Sequence, residues 1–227
     1  MNPARPRILD PRAVPVRGTD VHLPAVAAPQ LEAQALRGRF ASGAVWVPEF
    51  KGDSQLLERA PAAASVLVAL VQRAGGLHVL LTQRTDHLND HAGQISFPGG
   101  RAELHDADEV ATALRETEEE IGLPRAQVEV IGRLPTYTTI THFVVTPVIA
   151  IVQPPFELAL DSFEVAEAFE VPLSFLMDPA HHRRHLFEFG GQAREFLSMP
   201  WRNGEREYFI WGATAAMLRN LYAFLRA

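Results

Sequence analysis

The sequence predicts a protein of mixed α and β structure, and three observations support this fold class. Two short apolar runs rich in β-branched residues, Ser65 to Val71 and His78 to Gln83, flank Gly75-Gly76, a pattern typical of two strands joined by a hairpin. The segment from about Asp108 to Ile121 begins with acidic residues and is followed by Gly122, which predicts a helix. Further strand-like runs follow, so strands surround one strong central helix.

Composition restricts the function classes. The chain has 227 residues, of which 47% are hydrophobic and 21% charged, as in an ordinary globular protein. Cysteine is absent, which excludes disulfides, thiolate metal sites and a cysteine nucleophile. The net charge of -6 argues against a nucleic-acid partner, and no apolar run approaches the roughly 20 residues that span a bilayer. We therefore expect a cytoplasmic protein with a small-molecule substrate and no membrane partner; homodimerisation stays open.

The first sixty residues differ in composition from the rest of the chain. Residues 1–29 are rich in Pro, Ala and Arg without periodicity, which predicts an extended arm, and a short helix is predicted within Gln30 to Phe40. We therefore divide the chain into an N-terminal extension, 1–60, and a single domain, 61–227.

Elements beyond the first hairpin follow from the same signals. Short strands are predicted at Gln94 to Phe97, Val128 to Leu134 and Phe143 to Val152. Two more strands are predicted around Gly190-Gly191, within Arg183 to Met199. A segment of mixed character is interrupted at Pro172, and the spacing of apolar residues predicts an amphipathic helix over Ile210 to Leu225.

The central helix carries a dense run of carboxylates. Its apolar residues, from Val110 to Ile121, share one stripe, while Glu116 and Glu120 lie on nearly the opposite face with Glu119 beside them. Like charges four residues apart destabilise a helix by roughly 0.2–0.5 kcal/mol, and no lysine lies nearby to relieve them. A hard divalent cation would relieve them, since Mg²⁺ binds carboxylates together with substrate phosphates. The alternative is a solvated acidic face.

The loop before this helix reads Phe97-Pro98-Gly99-Gly100, and two glycines after a strand let the backbone approach a ligand closely. Loop and helix together resemble the Nudix box, Gly-x5-Glu-x7-Arg-Glu-U-x-Glu-Glu-x-Gly-U, where U is apolar. The residues that fall on its second half, in order, are Arg115, Glu116, Glu119, Glu120, Gly122 and Leu123.

Two departures from that consensus are visible. Thr117 occupies a normally apolar position, and the span from Gly100 to Arg115 is one residue longer than the consensus, with Asp106 where the first acidic residue would come. The extra residue is typical of the coenzyme A pyrophosphatase branch of the family.

The stretch upstream of the box also resembles that branch. Residues 80–100 match Leu-Leu-Thr-x-Arg-x3-Leu-x2-His-x-Gly-x-(apolar)-Ser/Cys-Phe-Pro-Gly-Gly, and Ile210 to Thr214 fits as well. The resemblance covers about Ala63 to Leu225. It implies the Nudix fold, an α/β/α sandwich around a mixed sheet, and Mg²⁺- or Mn²⁺-dependent cleavage of the diphosphate of coenzyme A and its derivatives. Hydrolysis of ADP-ribose or another nucleoside diphosphate derivative, or a catalytically silent nucleotide-binding domain, are the alternatives.

The resemblance also implies roles for the box residues. Glu116 and Glu120 are the expected metal ligands, Glu119 is a third ligand or the base that takes a proton from water, and Arg115 braces these carboxylates. Gly99 and Gly100 are expected at the substrate.

Several residues outside the box are either functional or ordinary surface residues. A later loop often supplies a further metal ligand or base, and Glu164 or Glu167 is the best source, unless both are surface residues. Arg84 and His91 are candidate phosphate contacts. A group of three histidines, His181, His182 and His185, is interpreted as a solvated loop rather than a metal cluster.

Overall fold

The computed structural model describes residues 8, 10–52, 61–85, 93–189 and 191–227. The helices in this part of the chain are α1 (Ala33–Ala41), α2 (Glu109–Ile121), α3 (Leu173–Leu176) and α4 (Gly212–Arg226). Its strands are β1 (Val16–Thr19), β2 (Ala62–Arg73), β3 (Gly76–Arg84), β4 (Ile95–Ser96), β5 (Gly99–Arg101), β6 (Val128–Arg133), β7 (Tyr137–Thr138), β8 (Phe143–Val152), β9 (Val165–Pro172), β10 (Arg183–Phe189), β11 (Gln192–Asn203) and β12 (Arg206–Trp211).

The central sheet has the order β4-β3-β2-β8-β6, and β5, β7 and β9 pair with β2, β8 and β3. The β2 and β8 strands run parallel, in register from Ala62↔Phe143 to Val71↔Val152, whereas β2 and β3 form the predicted antiparallel hairpin. The predicted mixed sheet is therefore confirmed.

The two faces of this sheet are both covered. Alternating residues of β2 point in opposite directions: Leu67, Ala69 and Val71 pack into one cluster with Ala113 and Ile121 of α2. Their neighbours Val68 and Leu70 pack into the second cluster with α1 and α4, which contributes Leu218 and Leu221. The structure thus confirms the α/β/α sandwich, and α2 packs against one face of the sheet's centre.

A second, four-stranded antiparallel sheet, with the order β1-β10-β11-β12, was not predicted. The last helix was predicted to begin at Ile210. In the structure Ile210 and Trp211 are instead the last residues of β12, and the helix begins at Gly212. The turn between β11 and β12 contains Gly204 with φ 60°. Asn203-Gly204 is a hairpin signal that the sequence interpretation did not use.

The N-terminal segment packs on this body of the protein, and α1 confirms the predicted short helix. Two of its carboxylates, Asp20 and Glu49, bind two arginines of the main body. Arg184 donates from Nε to Asp20 Oδ1 at 2.7 Å and from Nη2 to Glu49 Oε1 at 2.8 Å. Arg219 donates from Nε to Glu49 Oε2 at 2.6 Å, and its Nη1 lies 3.1 Å from Asp20 Oδ2.

The histidines near residue 182 are not a solvated group, so that expectation was wrong for two of the three. His182 is fully buried: its Nε2 donates to the Leu176 carbonyl at 2.8 Å, and its Nδ1 accepts from Arg219 Nη1 at 3.0 Å. His185 is buried between the Val14 carbonyl and Ser198 Oγ. Burial lowers the pKa of both imidazoles, that of His182 to about 4, so both serve as neutral structural residues.

Among the described residues, no helix combines the length and apolar composition that crossing a bilayer requires.

Candidate active site

The carboxylate helix α2 starts and stops where its sequence signals predict. Asp108 caps its N-terminus by accepting from the Ala111 N–H at 2.8 Å. Gly122 ends it in the left-handed conformation, with φ 66°. Because Ala113 and Ile121 are fully buried against the sheet, the rotation of the helix about its axis is fixed. Its glutamates are thereby held on the side of β5.

Glu116 and Glu120 lie against the glycine pair of β5 rather than in open solvent. The Gly99 N–H donates to Glu120 Oε2 at 3.0 Å. A Cβ on Gly100 would lie 2.4 Å from Glu116 Oε2, so the missing side chain leaves the space that this carboxylate occupies. Gly99 has φ 145°, and a Cβ there would lie 2.3 Å from the Ser65 carbonyl oxygen. The glycines therefore allow two carboxylates to reach the backbone.

Gly100→Ala tests this close approach. The new methyl group requires the Glu116 carboxylate to move, so we expect activity to fall by at least tenfold while the melting temperature changes little. Steady-state kinetics and thermal unfolding measure the two effects. Gly38→Ala in α1 is the matched control, because a Cβ there meets nothing within 4 Å. Equal activity of the Gly100→Ala and Gly38→Ala variants would contradict this account.

Arg115 is the counter-charge in this site. It donates from Nη1 to Glu116 Oε1 at 3.0 Å and to Glu119 Oε2 at 2.9 Å. On its other side, Nε and Nη2 form a bidentate pair with Asp106, both at 2.9 Å. The hydrogen bonds raise the pKa of Arg115 and lower that of Asp106. Arg115 therefore partly relieves the repulsion among the glutamates of α2, near which the sequence has no lysine.

Glu120 is the most deeply buried of the glutamates in this site. Burial raises its pKa to about 7, and the charges of Glu164 and Glu116 add to this effect, against the Gly99 N–H and Arg84. Burial also raises the pKa of Glu116, where the charges of Glu119 and Glu164 add to it against Arg115. Glu164 and Glu116 therefore both lie close enough to Glu120 to disfavour its charged form.

Arg84 faces two of these carboxylates without binding either closely. Its Nη1 lies 3.7 Å from Glu120 Oε1 and its Nη2 lies 3.8 Å from Glu164 Oε2. Both distances exceed the usual hydrogen-bond length, so the guanidinium group forms no hydrogen bond with either of these two carboxylates.

The structure separates the two later glutamates. The loop before β9 is tied to α2, because the Asp161 N–H donates to the Glu120 carbonyl at 2.9 Å, and it carries Glu164 to the site. Glu167, three residues on, instead accepts from Tyr208 Oη at 2.8 Å and pairs with Arg206. Only Glu164 therefore belongs with the box glutamates. His91 lies outside the described residues.

The donor set fits a hard divalent cation, since Glu116, Glu120 and Glu164 are oxygen donors that repel one another. In the described part of the chain, no three His, Asp or Glu side chains are already grouped as a metal cluster.

A pocket of about 400 Å³ opens beside these carboxylates, within the usual size range of small-molecule sites. Arg84, Arg101 and the glycine pair line its end at the carboxylates. Most of the remaining wall is apolar, with Ile95, Phe97, Phe143, Val145, Trp211 and Met217 among its residues. Polar residues also line it, namely Gln94, Ser96, Thr139, Thr141, Arg194 and Thr214.

Comparison with known proteins agrees with this site. The family model of the NUDIX domain matches residues 61–189. An uncharacterized Nudix hydrolase NudL from Citrobacter koseri is 44% identical over 160 residues, which are 70% of this chain and 80% of that protein. The NudL protein of Escherichia coli K12 is 42% identical over the same shares. The chain belongs to the Nudix hydrolase family.

Solved structures with a similar fold include other Nudix proteins. The Nudix hydrolase RenU from M. smegmatis aligns with a TM-score of 0.44 and 26% identity over 61% of this chain and 86% of its own. The Ap4A hydrolase of C. elegans aligns with a TM-score of 0.43 and 23% identity over 52% and 85%. Nudix hydrolases generally use divalent metal ions such as Mg²⁺ or Mn²⁺ and act on small-molecule nucleotide substrates.

Within the Nudix box, sequence reasoning did not commit Asp106 to the site. Its side chain is almost fully buried and also accepts from Thr112 Oγ1 at 3.0 Å. The signal was present: Asp106 stands at the acidic position of the box, and the extra residue that follows it obscured the match.

Proposed function

We propose that this Nudix hydrolase cleaves the diphosphate linkage of coenzyme A and its derivatives in a metal-dependent reaction. The products are adenosine 3′,5′-bisphosphate and 4′-phosphopantetheine, or its acylated form. The observation that carries the proposal is the loosely held Arg84 at the junction of the carboxylate site and the 400 Å³ pocket. The choice of coenzyme A rests on the resemblance of residues 80–100 to that branch of the family.

The box residues have distinct roles in this proposal. Glu116 and Glu120 bind the metal, and Glu119 is a third ligand or the base. A divalent cation held by these carboxylates would neutralise charge on the diphosphate and would lower the pKa of the attacking water. Arg115, held by Asp106, keeps the Glu116 and Glu119 carboxylates in place through the bonds described above.

Hydrolysis requires one proton transfer. A water oxygen attacks one phosphorus, the bond from that phosphorus to the bridging oxygen breaks, and a carboxylate takes the proton that the water gives up. Glu164 is a candidate base beside Glu119, because it lies at the mouth of the site, with its side chain 43% exposed to water. The Gly99 and Gly100 backbone lies beside the substrate phosphates.

A substrate panel tests this function. The purified chain is incubated with coenzyme A, acyl thioesters, ADP-ribose, NADH and nucleoside triphosphates in the presence of Mg²⁺ or Mn²⁺, and the products are identified by mass. We expect coenzyme A compounds to give the highest kcat/KM, and excess chelator to abolish turnover. Faster cleavage of ADP-ribose would favour the alternative hydrolase, and binding without products would favour a silent nucleotide-binding domain.

Arg84 is the proposed partner of a substrate phosphate, and we assign it to the 3′-phosphate that distinguishes coenzyme A. We expect wild type to cleave coenzyme A with higher kcat/KM than 3′-dephospho-coenzyme A. Expressed as a free energy, the ratio of the two kcat/KM values is expected to fall by roughly 1.5–3 kcal/mol in the Arg84→Ala variant, the usual contribution of a charged hydrogen bond.

Arg125→Ala is the control for this substitution, because Arg125 pairs with the exposed Glu118 away from the pocket. A preference that survives in the Arg84→Ala variant would assign the contact elsewhere, with His91→Ala as the next variant to measure.

A further inference from the structure

The N-terminal segment forms part of the wall of the pocket. Ile8 lines the 400 Å³ pocket together with Trp211 and Met217, although more than eighty residues separate it in sequence from the glycine pair. It is only 8% exposed. Its side chain packs in a small apolar cluster with Val14 and Phe196, so its position depends on how the arm lies on the second sheet.

The arm is fixed there by independent contacts. Strand β1 pairs with β10, and Arg12 donates to Glu207 Oε1 at 2.8 Å while its guanidinium lies 4.9 Å from the centre of the Phe209 ring. The His185 imidazole bonds the Val14 carbonyl at 2.9 Å. These contacts place a residue of the extension at a defined point of the pocket.

Ile8 also lines a second cavity, of about 210 Å³. The residues that line both cavities are Ile8, Gln94, Ile95 and Trp211. Arg12, Glu207 and Tyr208 are among the residues that line the second cavity alone. These four residues therefore form the partition between the two cavities, and Ile8 is the one that the N-terminal segment contributes.

We propose that Ile8 determines substrate specificity by closing the pocket and limiting the length of the group that extends from the substrate's diphosphate. The proposal rests on the proposed diphosphatase function. The occupant is part of the substrate itself, because the glycine pair that lies against the carboxylates also lines this pocket. The apolar walls fit a methylene chain, such as that of a fatty acyl thioester.

The test is a series of coenzyme A thioesters with straight acyl chains of increasing length, measured with wild type and three variants. Ile8→Ala removes the part of the partition that the Ile8 side chain contributes. We expect the ratio of kcat/KM for the longest to the shortest chain to rise roughly tenfold, in the range of methylene discrimination in apolar pockets. Ile8→Trp fills the same space and is expected to lower that ratio. Product masses confirm that the diphosphate is the bond cleaved.

Val14→Ala is the matched control. Val14 belongs to the same apolar cluster as Ile8 but lines neither cavity. Its truncation removes apolar contact from the cluster, while the pairing of β1 with β10 and the hydrogen bond from His185 to the Val14 carbonyl still hold the arm and Ile8 in place. We expect the wild-type ratio in this variant. The same rise in Val14→Ala as in Ile8→Ala would overturn the proposal, since arm stability would then be the cause.

Two other outcomes are distinguishable. Diphosphate cleavage with a chain-length ratio that does not depend on residue 8 would overturn the role of Ile8 and leave the proposed function standing. Absence of cleavage of every thioester by wild type, with ADP-ribose or another nucleotide cleaved, would instead overturn the choice of coenzyme A and the role of Ile8 that rests on it.

Discussion

Glu116→Gln and Glu120→Gln are each expected to lower kcat by roughly 10²–10⁴, the size of effect that follows from losing several kcal/mol of metal-assisted stabilisation. Both substitutions keep the shape of the side chain and remove one negative charge. Gln at 120 can still accept from the Gly99 N–H, and Gln at 116 still fits the space beside Gly100. The fold should therefore survive, which circular dichroism and thermal unfolding verify alongside the kinetics.

Glu118→Gln is the internal control for these variants. Glu118 lies on the same helix, but it is exposed and pairs with Arg125 at 2.7 Å away from the glycine pair, so wild-type activity is expected. An equal loss in all three variants would indicate that the helix acts through its general negative charge rather than through a metal site.

The free energy of unfolding is expected to fall as the pH is lowered from about 6.5 to 4, because His182 is neutral in the folded protein. Burial lowers its pKa from 6.5 to about 4, whereas in the unfolded chain it takes up a proton at its ordinary pKa. Above pH 6.5 the imidazole is neutral in both states, so its stabilising contribution is fully present there. At about 1.4 kcal/mol per pKa unit, the loss on acidification approaches about 3 kcal/mol.

Urea unfolding at several pH values measures this slope. His182→Gln is the informative variant: its amide can donate to the Leu176 carbonyl and accept from Arg219, but it does not titrate. We expect a shallower slope in this variant, with the remainder coming from groups such as His185, whose pKa burial also lowers. An unchanged slope would show that His182 is not the titrating group.

The sequence predicted elements whose limits are encoded locally. Helix α2 extends from Glu109 to Ile121, between the caps Asp108 and Gly122, because a capping carboxylate and a left-handed residue act within one turn of the backbone. The β2–β3 hairpin was predicted for the same kind of reason. Apolar periodicity likewise placed α4 to within two residues.

Local patterns indicate individual hairpins of the second sheet, β10–β11 and β11–β12. The order of the strands in each sheet and the separation into two sheets depend on contacts between distant segments, so no local pattern revealed them. Strand β9 joins the edge of β3 with a register shift between Gln83 and Arg84. That irregularity lies where Arg84 and Glu164 meet beside Glu120. From the sequence alone, Glu164 and Glu167 were equal candidates, because which of them faces the site depends on this pairing.

The paired carboxylates of the N-terminal segment have a consequence for recombinant production. A shortened chain that begins at residue 61, where the family match starts, lacks both Asp20 and Glu49. Arg219, whose side chain is 3% exposed, would then keep no carboxylate partner, and a buried cation without one is strongly destabilising. Such a fragment also exposes the apolar surface that Leu36 covers. If it were insoluble on expression, the cause would be the loss of the N-terminal segment and not an inability of residues 61–227 to form the Nudix fold in the full chain.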